Sequence, residues 1–247
     1  MAQWLNGTVT VNHHWHANLF SLKVHIPAFE FTAGQFVRLG INTPDGRVQR
    51  AYSLVNSPGN TELEFLVSTV SDGKLSPLLQ QLKMGDTLDV SQPASGFFVL
   101  DEVPAGDNLW LMASGTGIGP YLSMLGTTQL WQRFNHVILV HSVRTLADLV
   151  YRELITQCQH QYPGQLHYQP IVTREAHSGA LSKRLPELIQ SGELQSACQQ
   201  SLTNRSQVML CGNPQMITDT KAVLEGLGLT KNLRRDPGNI TVEQYWK

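Results

Sequence analysis

The chain has 247 residues, enough for one large domain or two of ordinary size. Hydrophobic residues make up 41% and charged residues 15%, so we expect a packed core and exclude a disordered chain. A formal net charge of -1 excludes a general electrostatic attraction to nucleic acid or membranes. The three cysteines lie too far apart for a disulfide framework or an iron–sulfur run. No signal-like or membrane-spanning segment stands out, so a soluble cytoplasmic protein is expected.

Short β-rich segments dominate residues 1–100. Gly, Pro, Asn and Asp separate them, a pattern typical of a closed or nearly closed antiparallel barrel. One helix is predicted around Leu75–Leu82. The predicted strands are Thr8–Val11, Leu19–Ile26, Gln35–Gly40, Arg47–Val55, Leu63–Val70, Thr87–Val90 and Gly96–Val99. His13, His14 and His16 fall in the first hairpin, where surface histidines are favoured over a metal site because no carboxylate or cysteine lies nearby.

The pattern changes after a polar segment at residues 101–107. Strands and helices then alternate, which predicts a parallel sheet with helices on both faces. We therefore predict two domains, 1–100 and 101–247, with a polar loop at 195–204. The predicted strands are 109–113, 136–141, 166–172 and 208–211, and the predicted helices are 117–127, 146–159, 181–190 and 214–227.

A first candidate motif is Arg50-Ala51-Tyr52-Ser53, which lies in a predicted strand. Alternate residues of a strand share a face, so Arg50 and Tyr52 project together and Ser53 points the other way. A cation, an aromatic ring and a hydroxyl at this spacing suit a phosphate, a planar ring and a ring nitrogen. The alternative is a half-buried strand aromatic beside a solvated arginine.

A second candidate is the turn Ser114–Pro120, which joins a buried strand to a helix. Its glycines let the backbone approach a ligand, and the helix start presents free N–H groups to an anion. Pro120 is tolerated in the first helical turn. This context favours a phosphate-binding turn over a merely tight one.

Arginines follow the next two predicted strands. Sheets that bind NAD usually end their second strand in a carboxylate, whereas here Arg144 follows and Arg174 ends the third strand. A guanidinium can bind a 2′-phosphate that a carboxylate would repel. Together with Arg184, these residues favour NADP over NAD, although each alone is typical of a solvated surface charge.

Three further segments are candidates. Cys211 ends the fourth strand at the expected ligand crevice, or else it is a small buried hydrophobe. Gly73–Ser76 opens the barrel helix and suits a pyrophosphate, with an ordinary helix start as the alternative. Tyr245 and Trp246 near the end of the sequence need a packing partner, either a flavin or a core surface.

Taken together, these segments resemble the bacterial-type ferredoxin (flavodoxin)–NADP reductases. The family's motifs R-x-Y-S, G-T-G-x-G-P and C-G-N-P-x-M match Arg50–Ser53, Gly115–Pro120 and Cys211–Met216. The tail resembles the bacterial form that ends in Tyr-Trp, with Lys247 added here. Many bacterial members carry an aromatic where Leu66 stands.

The resemblance implies an antiparallel FAD-binding barrel followed by a parallel-sheet NADP-binding domain, with the aromatic tail returning to the flavin. It implies catalytic roles for Ser53, Cys211 and Tyr245, the last covering the flavin face that nicotinamide reaches. The implied FAD contacts are Arg50, Ala51, Tyr52, Ser53, Phe65, Leu66, Val67, Lys74, Leu75, Ser76, Thr116 and Trp246. The implied NADP contacts are Gly115, Gly117, Val143, Arg144, Thr173, Arg174 and Arg184.

The implied activity is electron transfer between NADP(H), a hydride carrier, and a one-electron carrier through FAD. The implied partner is ferredoxin or flavodoxin, for which Lys231, Arg234, Arg235 and Lys247 are a candidate basic docking rim, unless they form a solvated face. No metal is implied, and a monomer is expected. The alternatives are a free-flavin or quinone reductase of the same superfamily, and a non-catalytic flavin-bound redox sensor or interaction subunit.

Overall fold

The computed structural model describes residues 3–245, which divide into two compact units. The first, here the barrel unit, contains the chain up to Val99 together with Gly119–Thr127. The second, here the sheet unit, contains Leu100–Ile118 and the chain from Thr128 onward. Among the described residues, no helix is long and apolar enough to span a membrane.

The barrel unit is built on one six-stranded antiparallel sheet. Its strands are β1 (Gln3–His16), β2 (Leu19–His25), β3 (Phe36–Thr43), β4 (Gly46–Ser53), β5 (Glu62–Ser68) and β6 (Thr87–Gln92). They are ordered β4-β3-β6-β1-β2-β5, which leaves β4 and β5 at the edges. Just after β4, the Val55 N–H donates to the Glu64 carbonyl of β5 at 2.9 Å, so the two edges approach each other. The prediction of a nearly closed antiparallel barrel is confirmed.

The barrel core is formed by alternate residues of the strands and by helix α1 (Ser76–Gln81). On β2, Phe20 and Leu22 are fully buried, and Leu79 of α1 packs into the same cluster. Each fully buried side chain of this size contributes roughly 1.5–3 kcal/mol. The short helix α1 is therefore stabilised by packing, because six residues would not form a stable helix alone.

The sheet unit contains a five-stranded sheet in which every neighbouring pair is parallel. Its strands are β7 (Asn108–Ser114), β8 (His136–Val143), β9 (Leu166–Val172), β10 (Ser206–Gly212) and β11 (Ile240–Gln244), and its helices are α3 (Thr128–Arg133), α4 (Arg152–Gln161), α5 (Leu185–Gln190), α6 (Glu193–Cys198) and α7 (Pro214–Gly226). Helix α2 (Gly119–Leu125) lies in the barrel unit. The predicted parallel α/β sheet is confirmed.

The order of this sheet, β11-β10-β7-β8-β9, contains a topological switch point. The chain proceeds outward from β7 to β9 and then returns to place β10 on the other side of β7. Ligands of open parallel sheets bind beyond the carboxyl ends of strands at such a point. The ends of β7 and β10 are therefore where a functional site is expected.

Several elements differ from the sequence predictions. Gly96–Val99 is not a strand, because Gly96 has a φ of +112° that breaks the extended backbone. The helix predicted at 146–159 is divided into a 3₁₀ turn at Leu146–Asp148 and α4, since Tyr151 between them is left-handed (φ 59°). Three helices and strands of the described residues went unpredicted: α3, which follows the predicted helix at 117–127, α6, at the start of the proposed polar loop, and the edge strand β11.

Candidate functional site

Arg50 and Tyr52 lie on edge strand β4, opposite Leu39 and Val37 of β3. Since residues two apart share a face, both side chains project to the same side of the sheet. Tyr52 is half-buried against the barrel core, and burial raises its pKa to about 12 against the opposing effect of Arg50. The exposed Arg50 guanidinium donates to the Gln49 carbonyl at 2.7 Å. An aromatic surface and an accessible cation therefore stand side by side.

Most of the other residues predicted to contact a flavin from the barrel unit are buried in its core. Phe65 and Val67 are fully buried, and Leu75 joins the same cluster. Ser53, Leu66 and Ser76 are also buried, while Ala51 and Lys74 are exposed. The Ser76 hydroxyl accepts a hydrogen bond from the Val70 N–H at 3.0 Å. Contacts from Phe65 and Val67 to a ligand would therefore involve their backbone.

The glycine-rich turn after β7 forms a 3₁₀ turn, Gly115–Ile118. Gly115 has a φ of +54°, and a Cβ placed on it would meet nothing within 4 Å. A Cβ on Gly117, by contrast, would lie 2.5 Å from the Cys211 carbonyl oxygen. One glycine thus supplies a left-handed backbone beside open space, and the other lets the turn pack against the end of β10.

A second set of contacts joins the same two strand ends. The Asn213 N–H donates to the Ser114 hydroxyl at 2.8 Å. The Asn213 side chain also caps α7, because its Oδ1 accepts from the N–H groups of Gln215 and Met216. Gly212, with a φ of +127°, passes so close to Ser114 that a Cβ would lie 2.4 Å from the Ser114 Oγ. The turn after β7 and the start of α7 are therefore held together at the switch point.

We expect Gly117→Ala to destabilise the sheet unit by about 1–3 kcal/mol, because its methyl group would overlap the backbone of β10. The matched control is Gly226→Ala at the end of α7, where a Cβ meets nothing within 4 Å and no left-handed φ is required. That control should be neutral or stabilising by up to about 1 kcal/mol. Urea unfolding measures both, and equal midpoints for the two variants would contradict the close approach.

Cys211, Tyr245 and Thr116 come together at the end of β10. The Tyr245 hydroxyl donates to the Thr116 carbonyl at 3.2 Å, and its side chain also hydrogen-bonds the Cys211 thiol. Cys211 is fully buried, and burial together with the charge of Glu243 holds the thiol pKa well above its usual range. Cys211 is therefore a neutral thiol and not a thiolate nucleophile.

The three predicted arginines line one cavity of about 540 Å³ in the sheet unit. The remaining lining residues are Thr173, Ser182, Lys183 and Glu187. The ends of β8 and β9 are joined here, since the Arg174 N–H donates to the Arg144 carbonyl at 3.0 Å and Thr173 bonds the Val143 carbonyl. Within residues 3–245, Arg144, Arg174 and Arg184 form no ion pair, whereas Lys183 pairs with Glu193. This cavity therefore offers an anion three guanidinium groups without an ion-pair partner among residues 3–245, next to the Lys183 ammonium and the Glu187 carboxylate.

Sequence reasoning missed two residues of this region. His141 of β8 is fully buried, and its Nε2 lies 3.0 Å from the Gly115 carbonyl oxygen. Glu243 lies opposite Cys211 in the register of β10 and β11. A histidine directly after the apolar run Val137–Val140, within the same predicted strand, was a usable signal for His141. Glu243 gave none, because β11 itself was not predicted.

Some of the other predicted residues have partners of their own. Arg234 of the proposed docking rim forms an ion pair with Glu102, so its charge is compensated. His13 contacts the Trp15 ring and His14 stacks on Phe20. Among the described residues, no group of three or more potential metal ligands is found. Trp246 and Lys247 lie outside the described residues.

Two family models match the chain, one over its N-terminal part and one over its C-terminal part. An oxidoreductase FAD-binding domain matches residues 4–98, and an oxidoreductase NAD-binding domain matches residues 111–222. The first range covers the barrel strands with Arg50 and Tyr52. The second contains the glycine-rich turn, the arginine cavity and Cys211.

Individual relatives match over the whole chain. It is 51% identical to the flavodoxin/ferredoxin–NADP reductase of Escherichia coli, with 100% of both chains covered. It is 37% identical to the ferredoxin–NADP reductase of Pseudomonas aeruginosa, covering 94% of this chain and 93% of that one. A crystal structure of a ferredoxin–NADP+ reductase from Neisseria gonorrhoeae, with bound FAD and NADP, is 31% identical, with a TM-score of 0.94 and 100% of both chains covered.

Proposed function

Because the chain belongs to the flavodoxin/ferredoxin–NADP reductases, we propose that it transfers electrons between NADP(H) and flavodoxin or ferredoxin through bound FAD. The observation that carries this proposal is the cavity lined by Arg144, Arg174 and Arg184. A cluster of three guanidinium groups at the carboxyl edge of a parallel sheet suits a dinucleotide with a 2′-phosphate.

The barrel unit contains groups that fit FAD. Tyr52 offers a half-buried aromatic face, and Arg50 on the same side of β4 is exposed, with a hydrogen bond to its own strand. In our proposal, Tyr52 stacks on the isoalloxazine ring, Arg50 binds the pyrophosphate, and Ser53 hydrogen-bonds the ring. The backbone of 65–67, Ala51 and the segment Lys74–Ser76 complete the FAD contacts, and Trp246 is assigned to the adenine.

The sheet unit contains groups that fit NADP(H). Gly115, beside open space, would allow close approach of the nucleotide, and Gly117 would contribute its backbone in the same turn. The uncharged N–H groups at the start of the 3₁₀ turn can donate to an anion. The arginine cavity receives the 2′-phosphate, beside Val143 and Thr173. A phosphate at both positions would fix the dinucleotide along the edge of the sheet.

The chemistry of the reaction is supplied by FAD, which accepts a hydride and releases electrons singly when bound. The chain's own residues orient the reactants. Tyr245, whose hydroxyl bonds both Thr116 and Cys211, would be the aromatic group that gives way when nicotinamide binds. We assign two uncharged groups to the reaction: the neutral Cys211 thiol on the side of the nicotinamide, and the Ser53 hydroxyl on the side of the flavin.

The test is an anaerobic visible spectrum of the purified protein before and after addition of NADPH, with NADH as the control. We expect a flavin spectrum that NADPH bleaches quickly and NADH slowly, followed by rapid reoxidation when flavodoxin or ferredoxin is added. A colourless protein that does not take up FAD refutes the proposal. Bleaching followed by electron transfer only to free flavin or quinone supports that runner-up activity instead.

We expect Arg50→Ala to raise the dissociation constant of FAD by about 10- to 100-fold, because a charge-assisted hydrogen bond contributes about 1.5–3 kcal/mol. The matched control is Arg47→Ala on the same strand. Arg47 pairs with Asp89 at 2.8 Å and lies over the Trp4 ring, so its loss should lower stability without affecting FAD. Flavin fluorescence on release measures FAD binding, and equal FAD affinities for the two variants would contradict the assignment.

Ferredoxin or flavodoxin is the proposed partner of the reduced enzyme. With Arg234 engaged by Glu102, the proposed docking rim reduces to Lys231, Arg235 and Lys247. A charged rim predicts that reduction of the carrier slows as ionic strength rises. We further propose a cytoplasmic location, which the three free cysteines support, and a monomeric state, which analytical ultracentrifugation would check.

A further inference from the structure

One buried polar group of the sheet unit has no role in the function proposed above. His141 has 0% exposure and follows four consecutive apolar residues of β8. An imidazole removed from water in this way is destabilising unless hydrogen bonds compensate for the loss. Its position near the carboxyl end of β8 places it beside the candidate nucleotide site.

The hydrogen bond of His141 fixes the form of the ring. A carbonyl oxygen can only accept, so the Nε2 that lies 3.0 Å from the Gly115 oxygen carries the proton. Nδ1 is buried and has no hydrogen-bond partner among the described residues. Burial lowers the pKa of His141 to about 4, against the opposing effects of the Gly115 bond and of Asp148. At neutral pH the ring is therefore an uncharged Nε2–H donor.

This bond determines which way the next peptide group faces. A trans peptide holds its C=O and N–H on opposite sides, so a Gly115 carbonyl directed at His141 turns the Thr116 N–H away from the buried ring. Gly115 is left-handed (φ +54°), and glycine also tolerates other backbone conformations in which this peptide would be rotated. The imidazole selects one of these orientations.

We propose that His141 is a positioning residue for NADP(H): it holds the Gly115–Thr116 peptide so that the Thr116 N–H is presented to a phosphate group of the nucleotide. The inference rests on the proposed function, because it requires the glycine-rich turn to bind NADP(H). His141 itself does not touch the nucleotide. The hydrogen bond that Nδ1 lacks among the described residues is destabilising, whereas the Nε2 bond to Gly115 fixes the conformation of the turn.

The test compares His141→Leu, which removes the donor, with His141→Gln, whose amide N–H can occupy the position of Nε2. The readout is the dissociation constant of the holoenzyme for NADP+, measured by difference spectroscopy, with 2′-AMP as a second probe. Because 2′-AMP carries the 2′-phosphate and lacks the pyrophosphate, it reports on the arginine cavity alone.

We expect His141→Leu to weaken NADP+ binding by about 10-fold, the effect of losing one hydrogen bond that orders the turn, while 2′-AMP binding and FAD content stay unchanged. His141→Gln should remain within about 3-fold of the original protein. In steady-state assays the Leu variant should show a raised KM for NADPH and an unchanged kcat.

Three results would overturn the inference: an unchanged NADP+ affinity in the Leu variant, a parallel loss of NADP+ and 2′-AMP binding, or a Gln variant as weak as the Leu variant. If His141→Leu does not fold, His141→Asn replaces it, because its shorter amide does not reach the Nε2 position. A starting protein that binds neither NADP+ nor 2′-AMP would instead refute the proposed function.

Discussion

Replacing both Arg144 and Arg174 by alanine is expected to raise the KM for NADPH by about 100- to 10,000-fold, since hydrogen bonds to charged groups contribute about 1.5–3 kcal/mol each. Both side chains line the same cavity, where no carboxylate among residues 3–245 neutralises them through an ion pair. The 2′-phosphate would lose two of the three guanidinium groups proposed to bind it. The KM for NADH, which lacks that phosphate, should remain within about 3-fold.

Steady-state kinetics with both nucleotides measure this change in preference, and kcat at saturating NADPH should be retained because the substituted residues hold the nucleotide remote from the hydride. The matched control is Arg205→Ala. Arg205 is an exposed arginine of the sheet unit whose guanidinium is already paired with Asp107, so both KM values should be unaffected. If the double variant raised the two KM values equally, the arginines would have no phosphate role.

The second large expected effect is a loss of stability at acidic pH. His141 is fully buried, with a pKa of about 4 in the folded protein against 6.5 for the free side chain. In the unfolded chain His141 is therefore protonated below pH 6.5, whereas in the folded protein it is protonated only below about pH 4. The free energy of unfolding should fall by about 3 kcal/mol across this window and lose nothing more from this group at lower pH.

Urea unfolding of the original protein and of His141→Gln, measured at several pH values from 7 to below 5, isolates this contribution. Glu102, Asp107 and Glu193 also have lowered pKa values, from their cationic partners, and they too lose stabilisation as the pH falls. Their effect is common to both proteins and cancels in the difference. His177→Gln, at an exposed histidine, is the control; a pH slope in His141→Gln as steep as in that control would contradict the burial argument.

Much of this architecture was accessible from the sequence because its signals are local. Strand Leu166–Val172 was predicted with its observed bounds because it lies between two predicted helices, where the alternation of strands and helices calls for a strand. The glycine-rich turn and the arginines after β8 and β9 were identified by their place in a strand–turn–helix order. Those features depend on neighbours along the chain.

The missed features depend on contacts between distant segments. β11 is a strand because β10 offers it a free edge, which five residues at the end of the described chain do not reveal. The motif alone does not show why residue 117 must be glycine. The reason is that the Cys211 backbone lies where a side chain at 117 would be. His141 looked like the last residue of an apolar strand, and its role became visible only through the Gly115 carbonyl 26 residues away.

The hydrogen bond between Asn213 and Ser114 bears on how coenzyme preference and the shape of the glycine-rich turn could each be changed. The turn and the capped helix it connects share hydrogen bonds and close backbone contacts, so neither tolerates a larger residue without displacing the other. The arginine cavity draws on different loops, after β8 and before α5. If the arginines bind the 2′-phosphate as proposed, coenzyme preference can be redesigned at residues 144, 174 and 184. Remodelling the turn would instead require changes at positions 114, 117 and 212 together.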